Sequence, residues 1–431
     1  MKTDRRSFLQ NFGVGALGAL ALSAPARGAT MANPAPAAPL PPFPTGNAEA
    51  YWRAVRAQFP LLDHPTYLNV GGLGPTPQPV LDKVFSTMLQ LQEHSETGYS
   101  LIEPARETLA RFTGVKPHEI CFTRNATEAT SIIAAGLKLR EGDEVIFESH
   151  AHPGGSFTWY NQANLRGVKV KIFVPDNASP AANLARISEL VTPRTRVIQV
   201  SHITCTTGLV MPVREIAAFA AARGIWFHVD GAQSVGMIPV NFAAMGCDSF
   251  SLSGHKWLGG PHETGLLYLR HDRTADIAVP LTGAHAAELP YLPGELKYAP
   301  GALRHEYGTR NAGLIVGLAE AVHFQERIGT SRIAAYGREL ATRLFTEISR
   351  IDGIVMHTPQ SDELRSAITT FSHPRADAQK FFTYLLKSHQ LRCRPVTEQK
   401  LEAVRVSTHL FNSHAECERV IAGVRASLRD L

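Results

Sequence analysis

Residues 247–261 read CDSFSLSGHKWLGGP, and this stretch decides the fold. A strand here ends in small residues, presents His255 and Lys256, and runs into a glycine-rich turn. Open α/β sheets bind ligands at the carboxyl ends of their strands, which is where this lysine falls. An amine beside other positive groups loses its proton readily and then forms imines. Most lysines at strand ends are solvated surface groups, so Lys256 alone indicates little.

A second segment, residues 226–234 (WFHVDGAQS), is a hydrophobic strand that ends in Asp230, 26 positions before Lys256. A carboxylate held against the ring nitrogen of pyridoxal phosphate (PLP) raises the pKa of that nitrogen and keeps the ring cationic. The cationic ring is the electron sink of PLP catalysis. Asp230 alone is equally typical of a helix N-cap after a strand. Together, Asp230 and Lys256 are far more specific, and they predict a PLP site.

A third segment, residues 121–129 (CFTRNATEA), runs from a strand into a helix whose first turn carries small and hydroxyl residues. Free N–H groups and the helix dipole make such a turn an anion site. We assign Ala126 and Thr127 to the cofactor phosphate. The alternative is ordinary capping of this helix by Asn125.

From Asn69 onward, short β-rich runs alternate with helical stretches, the pattern of a parallel α/β sheet. We predict seven strands in this part, at residues 120–123, 144–148, 168–174, 196–202, 226–230, 249–253 and 265–269. After Thr309 we predict a smaller α+β domain, with helices over 312–348 and 379–389 and strands at 354–357, 367–371, 391–395 and 404–407.

Together these segments resemble the class-V aminotransferase group of fold-type I PLP enzymes, which includes cysteine desulfurases, kynureninases and isopenicillin N epimerases. The resemblance covers the chain from Asn69 to its C-terminus and depends on the His-Lys and Asp-x-x-Gln motifs. It implies an α/β fold, with a large domain built on a mainly parallel seven-stranded sheet and a small C-terminal α+β domain. It also implies PLP as the cofactor and an amino acid with a free carboxylate as the substrate.

The resemblance further implies roles for single residues around the cofactor. His150 matches the histidine that stacks on the ring opposite Lys256, Gln233 the residue near the phenolic oxygen, and His255 a phosphate contact. Thr309 matches a loop that reaches the phosphate of the neighbouring subunit, so a homodimer with shared active sites is expected. Near the phenolic oxygen this chain has Cys205 where relatives have a polar residue, and Thr204 is the substitute that we expect.

On the substrate side, Arg405 matches the arginine that grips the substrate carboxylate, and a guanidinium suits that role. An interdomain salt bridge is the alternative for Arg405. The glycine-rich segment at residues 69–75 precedes the first strand and ends in prolines, so we expect Asn69 to line the substrate site. His150 and His152 have no third ligand at metal-binding spacing, so we expect no metal.

The reaction is expected at the α-carbon, through an imine with Lys256. His152 and Pro153, with the glycines at 154 and 155, resemble the isopenicillin N epimerase-like branch. A cysteine desulfurase or C–S lyase is the alternative, with Cys393 as the candidate nucleophile of a desulfurase, although a buried structural role suits that cysteine better. An inactive scaffold is a further alternative, but both key residues are present. Isomerase, transferase and lyase chemistry stay open.

The N-terminus resembles a twin-arginine export signal, with Arg5 and Arg6, a following Phe-Leu, and a weakly hydrophobic run. That run is too short and glycine-rich for a stable membrane span. We predict a signal peptide over residues 1–29, a disordered linker over 30–45, an N-terminal arm and large PLP-binding domain over 46–310, and a helix linker with the small domain over 311–431. The expected location is periplasmic, or exported by the twin-arginine machinery, after folding in the cytoplasm.

Composition agrees with a folded enzyme. The 431 residues are 44% hydrophobic and 19% charged, and the net charge of +5 is spread thinly, without the basic blocks that indicate nucleic-acid binding. The five cysteines include no short CxxC pair, so we expect folding in a reducing compartment. Twin-arginine export fits this expectation, because it carries proteins that have already folded.

Overall fold

The computed structural model describes residues 39–289 and 292–431. Its strands are β1 (Thr66–Tyr67), β2 (Ile120–Thr123), β3 (Glu144–Glu148), β4 (Lys169–Phe173), β5 (Thr195–Ser201), β6 (Trp226–Asp230), β7 (Ser249–Ser253), β8 (Gly265–Leu269), β9 (Ala287–Glu288), β10 (Lys297–Tyr298), β11 (Val355–Met356), β12 (Ile368–Ser372), β13 (Leu391–Arg392), β14 (Arg394–Val396) and β15 (Ala403–Ser407). Its helices are α1 (Glu49–Arg56), α2 (Gln78–His94), α3 (Ile102–Thr113), α4 (Ala126–Gly136), α5 (Pro153–Arg166), α6 (Pro180–Leu190), α7 (Val213–Ala221), α8 (Phe242–Met245), α9 (Ala312–Ile328), α10 (Thr330–Ile348), α11 (Ala378–His389) and α12 (His414–Asp430).

The large sheet has seven strands in the order β2-β8-β7-β6-β5-β3-β4. Only β8 runs antiparallel to its neighbours, so the predicted mainly parallel seven-stranded sheet is confirmed. Side chains alternate between its two faces, as the period of a strand requires. Ile146 and Ile198 join the apolar cluster on one face, whereas Val145 and Val197 join the cluster on the other. Helices therefore cover both faces.

Strand β4 lies at the edge of this sheet and departs from the buried pattern. Its residues Lys169 and Ile172 are exposed, whereas β3, its single neighbour, is buried throughout. The strands next to the centre, β5, β6 and β7, end at Ser201, Asp230 and Ser253. Because parallel strands end at one edge of the sheet, these ends bring Asp230 and the Lys256 turn together.

A second sheet of four antiparallel strands, in the order β11-β12-β15-β14, follows in the C-terminal part. Helices α10 and α11 pack on it and α12 packs on these two helices, around a separate apolar cluster that includes Phe371, Phe381 and Val404. The predicted α+β character of this part is confirmed. The described residues belong to one compact unit, and the domain boundary at residue 310 stays a prediction.

Two predicted elements of the C-terminal part are each divided. The helix predicted over 312–348 is broken at Gly329, where φ of +98° ends α9 and begins α10. A left-handed φ of this kind favours glycine. The strand predicted over 391–395 is two short strands separated by Cys393. Strand β13 pairs with β1, whereas β14 pairs with β15 in the second sheet.

The predicted signal peptide lies outside the described residues, as do residues 30–38 of the predicted linker. Residues 39–45 carry no helix or strand, but the ring of Phe43 packs 4.9 Å from that of Tyr51 in α1. No helix within the two described ranges combines the length and apolar character needed to cross a bilayer.

Candidate active site

Lys256 lies in the tight turn that follows β7. The N–H of Gly254 donates to the Thr264 carbonyl, and the Gly259 N–H donates to the Lys256 carbonyl. On the other side the chain at Gly74 is so close that a Cβ there would overlap the Lys256 carbonyl. Burial lowers the pKa of the Lys256 amine, and the charge of Asp230 opposes that shift. An amine with a lowered pKa is the nucleophile that imine formation needs.

Asp230 ends β6 and is 6% exposed. Its Oδ1 accepts the N–H of Ala232 at 3.0 Å. Burial raises the pKa of this carboxyl, while the Ala232 N–H and the charge of Lys256 lower it. Asp230 and Lys256 therefore lie within electrostatic reach of each other, as the sequence predicts.

The predicted phosphate site lies at the start of α4. Ser253 Oγ accepts the N–H of Ala126 at 3.1 Å, and Asn125 Oδ1 accepts that of Glu128 at 2.9 Å. Asn125 is thus the helix cap, as the alternative for this segment predicts. Capping is compatible with an anion site in the same turn, and the phosphate role of Ala126 and Thr127 stays a prediction. Thr127 lies between the two capped positions and adjoins Gly154, where a Cβ would overlap its hydroxyl.

Two histidines precede α5, and the structure distinguishes them. The pKa of His152 is lowered to about 4 by burial and by the charges of Lys256 and Arg394. The pKa of His150 is also lowered to about 4, but by burial and by His357. His152 Nδ1 accepts the N–H of Gly154 at 3.0 Å. The ring-stacking role of His150 stays a prediction, and His152, whose pKa responds to the charge of Lys256, is a further candidate for a role beside the cofactor.

Buried, neutral histidines are common in this protein. Burial lowers the pKa to about 4 in His150, His202, His305 and His409, and to about 3 in His228. The pKa is also lowered to about 4 in the half-buried His255 and in His152, whose side chain is the more exposed of the two. No group of three metal-binding side chains is present in the part of the chain that the structure describes.

The hydrogen-bond partners differ among three further predicted site residues, Gln233, Thr204 and His255. Gln233 Oε1 accepts the indole N–H of Trp257 at 2.8 Å, and its Nε2 donates to the Gly71 carbonyl at 2.9 Å, which leaves one amide hydrogen. The Thr204 hydroxyl bonds to that of Thr207 at 2.9 Å within its own loop. His255 Nδ1 is buried and has no hydrogen-bond partner within the described ranges.

Arg405, on β15, is 1% exposed. Its Nη1 donates to the Cys205 carbonyl and its Nη2 to Asn69 Oδ1, both at 2.7 Å. The Nε is buried without a partner in the described chain, and no carboxylate there forms an ion pair with Arg405. The predicted alternative, an interdomain salt bridge, is therefore not present among these residues. An unpaired buried guanidinium is suited to an anionic ligand.

The predicted substrate loop that begins at Asn69 is held against this site. The Gly71 N–H donates to Ser407 Oγ at 3.1 Å, and the Gly74 N–H donates to the His255 carbonyl at 2.8 Å. A Cβ at Gly71 would lie 3.0 Å from Gln233 Oε1 and 3.2 Å from the Arg405 guanidinium. The loop therefore joins Asn69, Gln233 and Arg405 in one place.

Thr309 lies next to the segment that leads into α4. It is exposed, lines a cavity of about 190 Å³ with Arg124 and Tyr307, and has its hydroxyl 3.3 Å from that of Tyr99. Its segment is anchored by Glu306, which pairs with the buried Arg106 at 2.8 Å. The reach of Thr309 to a neighbouring subunit stays a prediction.

All five cysteines are free and buried. Burial raises the pKa of the Cys393 thiol to about 12. The pKa of Cys205 is also raised by burial, although Arg394 and Arg405 lower it. Burial therefore favours the thiol over the thiolate in both, and the thiolate is the form that attacks sulfur.

The residues at this site fit PLP. They offer an amine, a carboxylate beside it, a helix N-terminus and a histidine nitrogen without a protein partner. Glycine also keeps the space open, because a Cβ on Gly155 would lie 2.8 Å from Asp230 Oδ2.

Comparison with known proteins agrees with this chemistry. The class-V aminotransferase family matches residues 76–420. A probable cysteine desulfurase of Methanothermobacter thermautotrophicus is 32% identical over 308 residues, which cover 70% of this chain and 76% of that protein. An isopenicillin N epimerase of Amycolatopsis lactamdurans is 28% identical over 389 residues, which cover 87% of this chain and 98% of that protein.

Among solved structures, a variant of the cystine C–S lyase C-DES, with glycine covalently linked to its PLP cofactor, matches with a TM-score of 0.79 and 25% identity. The match covers 86% of this chain and 98% of that one. The predicted fold-type I fold and the predicted cofactor are thereby confirmed. This chain belongs to the class-V aminotransferase family and is a PLP-dependent enzyme.

Proposed function

We propose that this enzyme moves a proton at the α-carbon of an amino acid and returns it to the opposite face, as an isopenicillin N epimerase-like enzyme does. The observation that carries the proposal is the state of the cysteines. Each is buried, and the pKa of Cys393 is raised to about 12, so the desulfurase reaction has no accessible thiolate. Proton transfer at the α-carbon needs no thiol.

Bound PLP supplies an electron sink for the charge that develops at the α-carbon. The chain's own residues bind the substrate and move the proton. Arg405 binds the substrate carboxylate and so fixes which face of the α-carbon meets Lys256. The Lys256 amine, with its lowered pKa, accepts the α-proton at Nζ. Asp230 holds negative charge beside the ring nitrogen.

A second proton carrier is needed on the other face, and His152 is our candidate. Its pKa of about 4 makes the protonated ring a strong acid, so a His152 that takes a proton from water gives it to the α-carbon and returns to the neutral imidazole. In the neutral ring Nδ1 accepts the Gly154 N–H and Nε2 bears the remaining proton. Ring stacking and proton transfer are compatible roles for a side chain opposite Lys256.

C–S lyase chemistry is the second candidate, because similarity to a cystine lyase favours it. It uses the same first step and differs in losing a β-substituent. An inactive scaffold is disfavoured, since Lys256 and Asp230 are both present and act on each other's pKa.

The test is incubation of the holoenzyme with single L-amino acids in deuterated water. We expect loss of the α-proton NMR signal together with formation of the D-isomer on chiral chromatography. A keto acid without the D-isomer would indicate transamination or elimination, and cystine consumed with release of persulfide would favour the lyase. The pair His152→Ala and His150→Ala separates the two histidines: only the first should abolish D-isomer formation while leaving exchange at the Lys256 face.

We also propose a homodimer, as expected from Thr309. Helix α2 presents Phe85, Met88 and Leu89 on one face, with exposed fractions of 63%, 40% and 67%, which is typical of an interface. Sedimentation equilibrium should give twice the chain mass, and a monomer that is fully active would contradict the shared site. Export by the twin-arginine route is proposed on residues 1–29 alone, and retention of Arg5→Lys/Arg6→Lys protein in the cytoplasm tests it.

A further inference from the structure

Arg394 and Arg405 face each other across two neighbouring strands, β14 and β15. Directly paired residues of an antiparallel sheet point to the same face, with Cβ atoms about 4.5–5.5 Å apart. Two cations so placed repel each other, and the pKa of Arg405 is lowered to about 10 by burial and by the charge of Arg394. Arg394 is thus a second cation beside the residue that binds the substrate carboxylate.

Glu398 partly neutralises Arg394. Its Oε1 forms an ion pair with Arg394 Nη2. The pair leaves two buried polar atoms without a partner in the described residues, Arg394 Nη1 and Glu398 Oε2. One is a hydrogen-bond donor and the other an acceptor. Because buried polar atoms are normally hydrogen-bonded, each needs an explanation.

The backbone after Glu398 is held in an unusual conformation. Gln399, Lys400 and Glu402 have φ values of +55°, +58° and +45°, and none of them is glycine. Left-handed residues of this kind are sparsely populated and cluster at ligand sites, where the surroundings enforce them. Glu402 is fixed in turn, since its Oε2 accepts the N–H of Ala378 at 3.1 Å. The segment that follows Glu398 is therefore anchored to α11 through Glu402.

The Arg394–Glu398 pair belongs to the reaction centre. The charge of Arg394 acts on the pKa of Lys256, and both members of the pair act on the pKa of His152. Strand β14 brings Arg394 next to the arginine that binds the α-carboxylate. An amino acid held by Arg405 and Lys256 therefore lies beside this pair.

We propose that Arg394 and Glu398 select the substrate side chain, and that the side chain they accept ends in a primary carboxamide. This inference rests on the proposed action at the α-carbon of an amino acid. A carboxamide oxygen accepts from Arg394 Nη1, and its NH₂ group donates to Glu398 Oε2, so both atoms gain a partner. A carboxylate side chain meets repulsion from Glu398, and an apolar side chain leaves both atoms unsatisfied.

The test compares ligands by titration of the holoenzyme's cofactor absorbance with L-glutamine, L-asparagine, L-glutamate and L-norleucine. We expect one of the two amides to bind about tenfold to a hundredfold more tightly than the other two ligands, the range that hydrogen bonds to charged groups provide. L-Glutamate and L-glutamine have nearly the same shape, so their difference reports the terminal group. Equal affinities for all four ligands would overturn the proposal.

Two variants and a control locate the effect. Arg394→Gln and Glu398→Gln should each reduce the preference for the amide to about threefold or less, and the absorbance band verifies that each variant binds cofactor. Arg392→Gln changes a nearby exposed arginine and should keep the wild-type preference. A preference that survives in both variants contradicts the proposal. If no amino acid changes the absorbance of the bound cofactor, the proposed function itself fails, whereas unselective binding refutes this inference alone.

Discussion

Substitution of Arg405 by lysine would test the substrate site most informatively, because it keeps the positive charge and removes the planar fork of donors. A guanidinium has five N–H donors. In the structure two are used, for the Cys205 carbonyl and Asn69 Oδ1. The remaining donors, including the buried Nε, are free to hold a carboxylate through two parallel hydrogen bonds.

The size of the effect follows from that geometry. Lysine can keep one charge-assisted hydrogen bond to the carboxylate and loses the other. Hydrogen bonds to charged groups contribute about 1.5–3 kcal/mol each. Since about 1.4 kcal/mol changes an equilibrium constant tenfold, the Kd of an amino acid should rise roughly 10- to 150-fold.

The assay compares two ligands on wild type and Arg405→Lys holoenzyme: an amino acid, and the corresponding primary amine without its carboxylate. Affinity for the amino acid should fall by the factor above, and affinity for the amine should change by less than about threefold. Arg392→Lys serves as the matched control. Equal weakening of both ligands, or of neither, would refute the assignment of Arg405 to the carboxylate.

Three other outcomes are expected. Mild acid should destabilise the protein, because five buried histidines (His150, His202, His228, His305 and His409) each have a folded pKa near 4 or 3 against about 6.5 unfolded. The stability present above pH 6.5 should fall by up to about 1.4 kcal/mol per histidine per pH unit toward pH 4, and a constant Tm between pH 7.5 and 5.5 would be inconsistent with this expectation. Asp230→Asn should bind cofactor but lose most turnover. Without the carboxylate the pKa of the ring nitrogen should fall by about 1–3 units, so the protonated fraction of the ring falls roughly 10- to 1000-fold. A normal kcat would show that Asp230 has another role. Cys393→Ser should leave activity within about twofold of wild type, because the thiol is buried and protonated; loss of sulfur release would restore the desulfurase reading.

The parts of the fold that the sequence predicts are those encoded locally. Each strand of the large sheet is a short apolar run bounded by turn residues, so all seven were located, with ends shifted by one residue at most at either side. The sequence does not indicate the helix break at Gly329, because a glycine is tolerated inside a helical pattern. The local sequence predicts one strand through Cys393. Pairing with distant partners, which the local sequence does not show, puts β13 and β14 in different sheets.

The site shows the same division between local and long-range information. The motifs around Lys256 and Asp230 are contiguous in sequence, and they predicted the elements that the structure brings together. The different electrostatic surroundings of His150 and His152 are not encoded locally, since the charges that act on each ring belong to residues far along the chain. The sequence likewise does not predict the proposed role of Glu398. That role depends on the left-handed backbone at Gln399 and Lys400, and the residue types there do not indicate such a conformation.

The central claim is that the amine at position 256 holds the cofactor. Reduction of the holoenzyme with sodium borohydride, followed by proteolysis and peptide mass mapping, measures this directly. We predict a stable pyridoxyl adduct on Lys256 in the peptide that contains residues 247–261. An adduct on any other lysine, with Lys256 unmodified, would contradict the account.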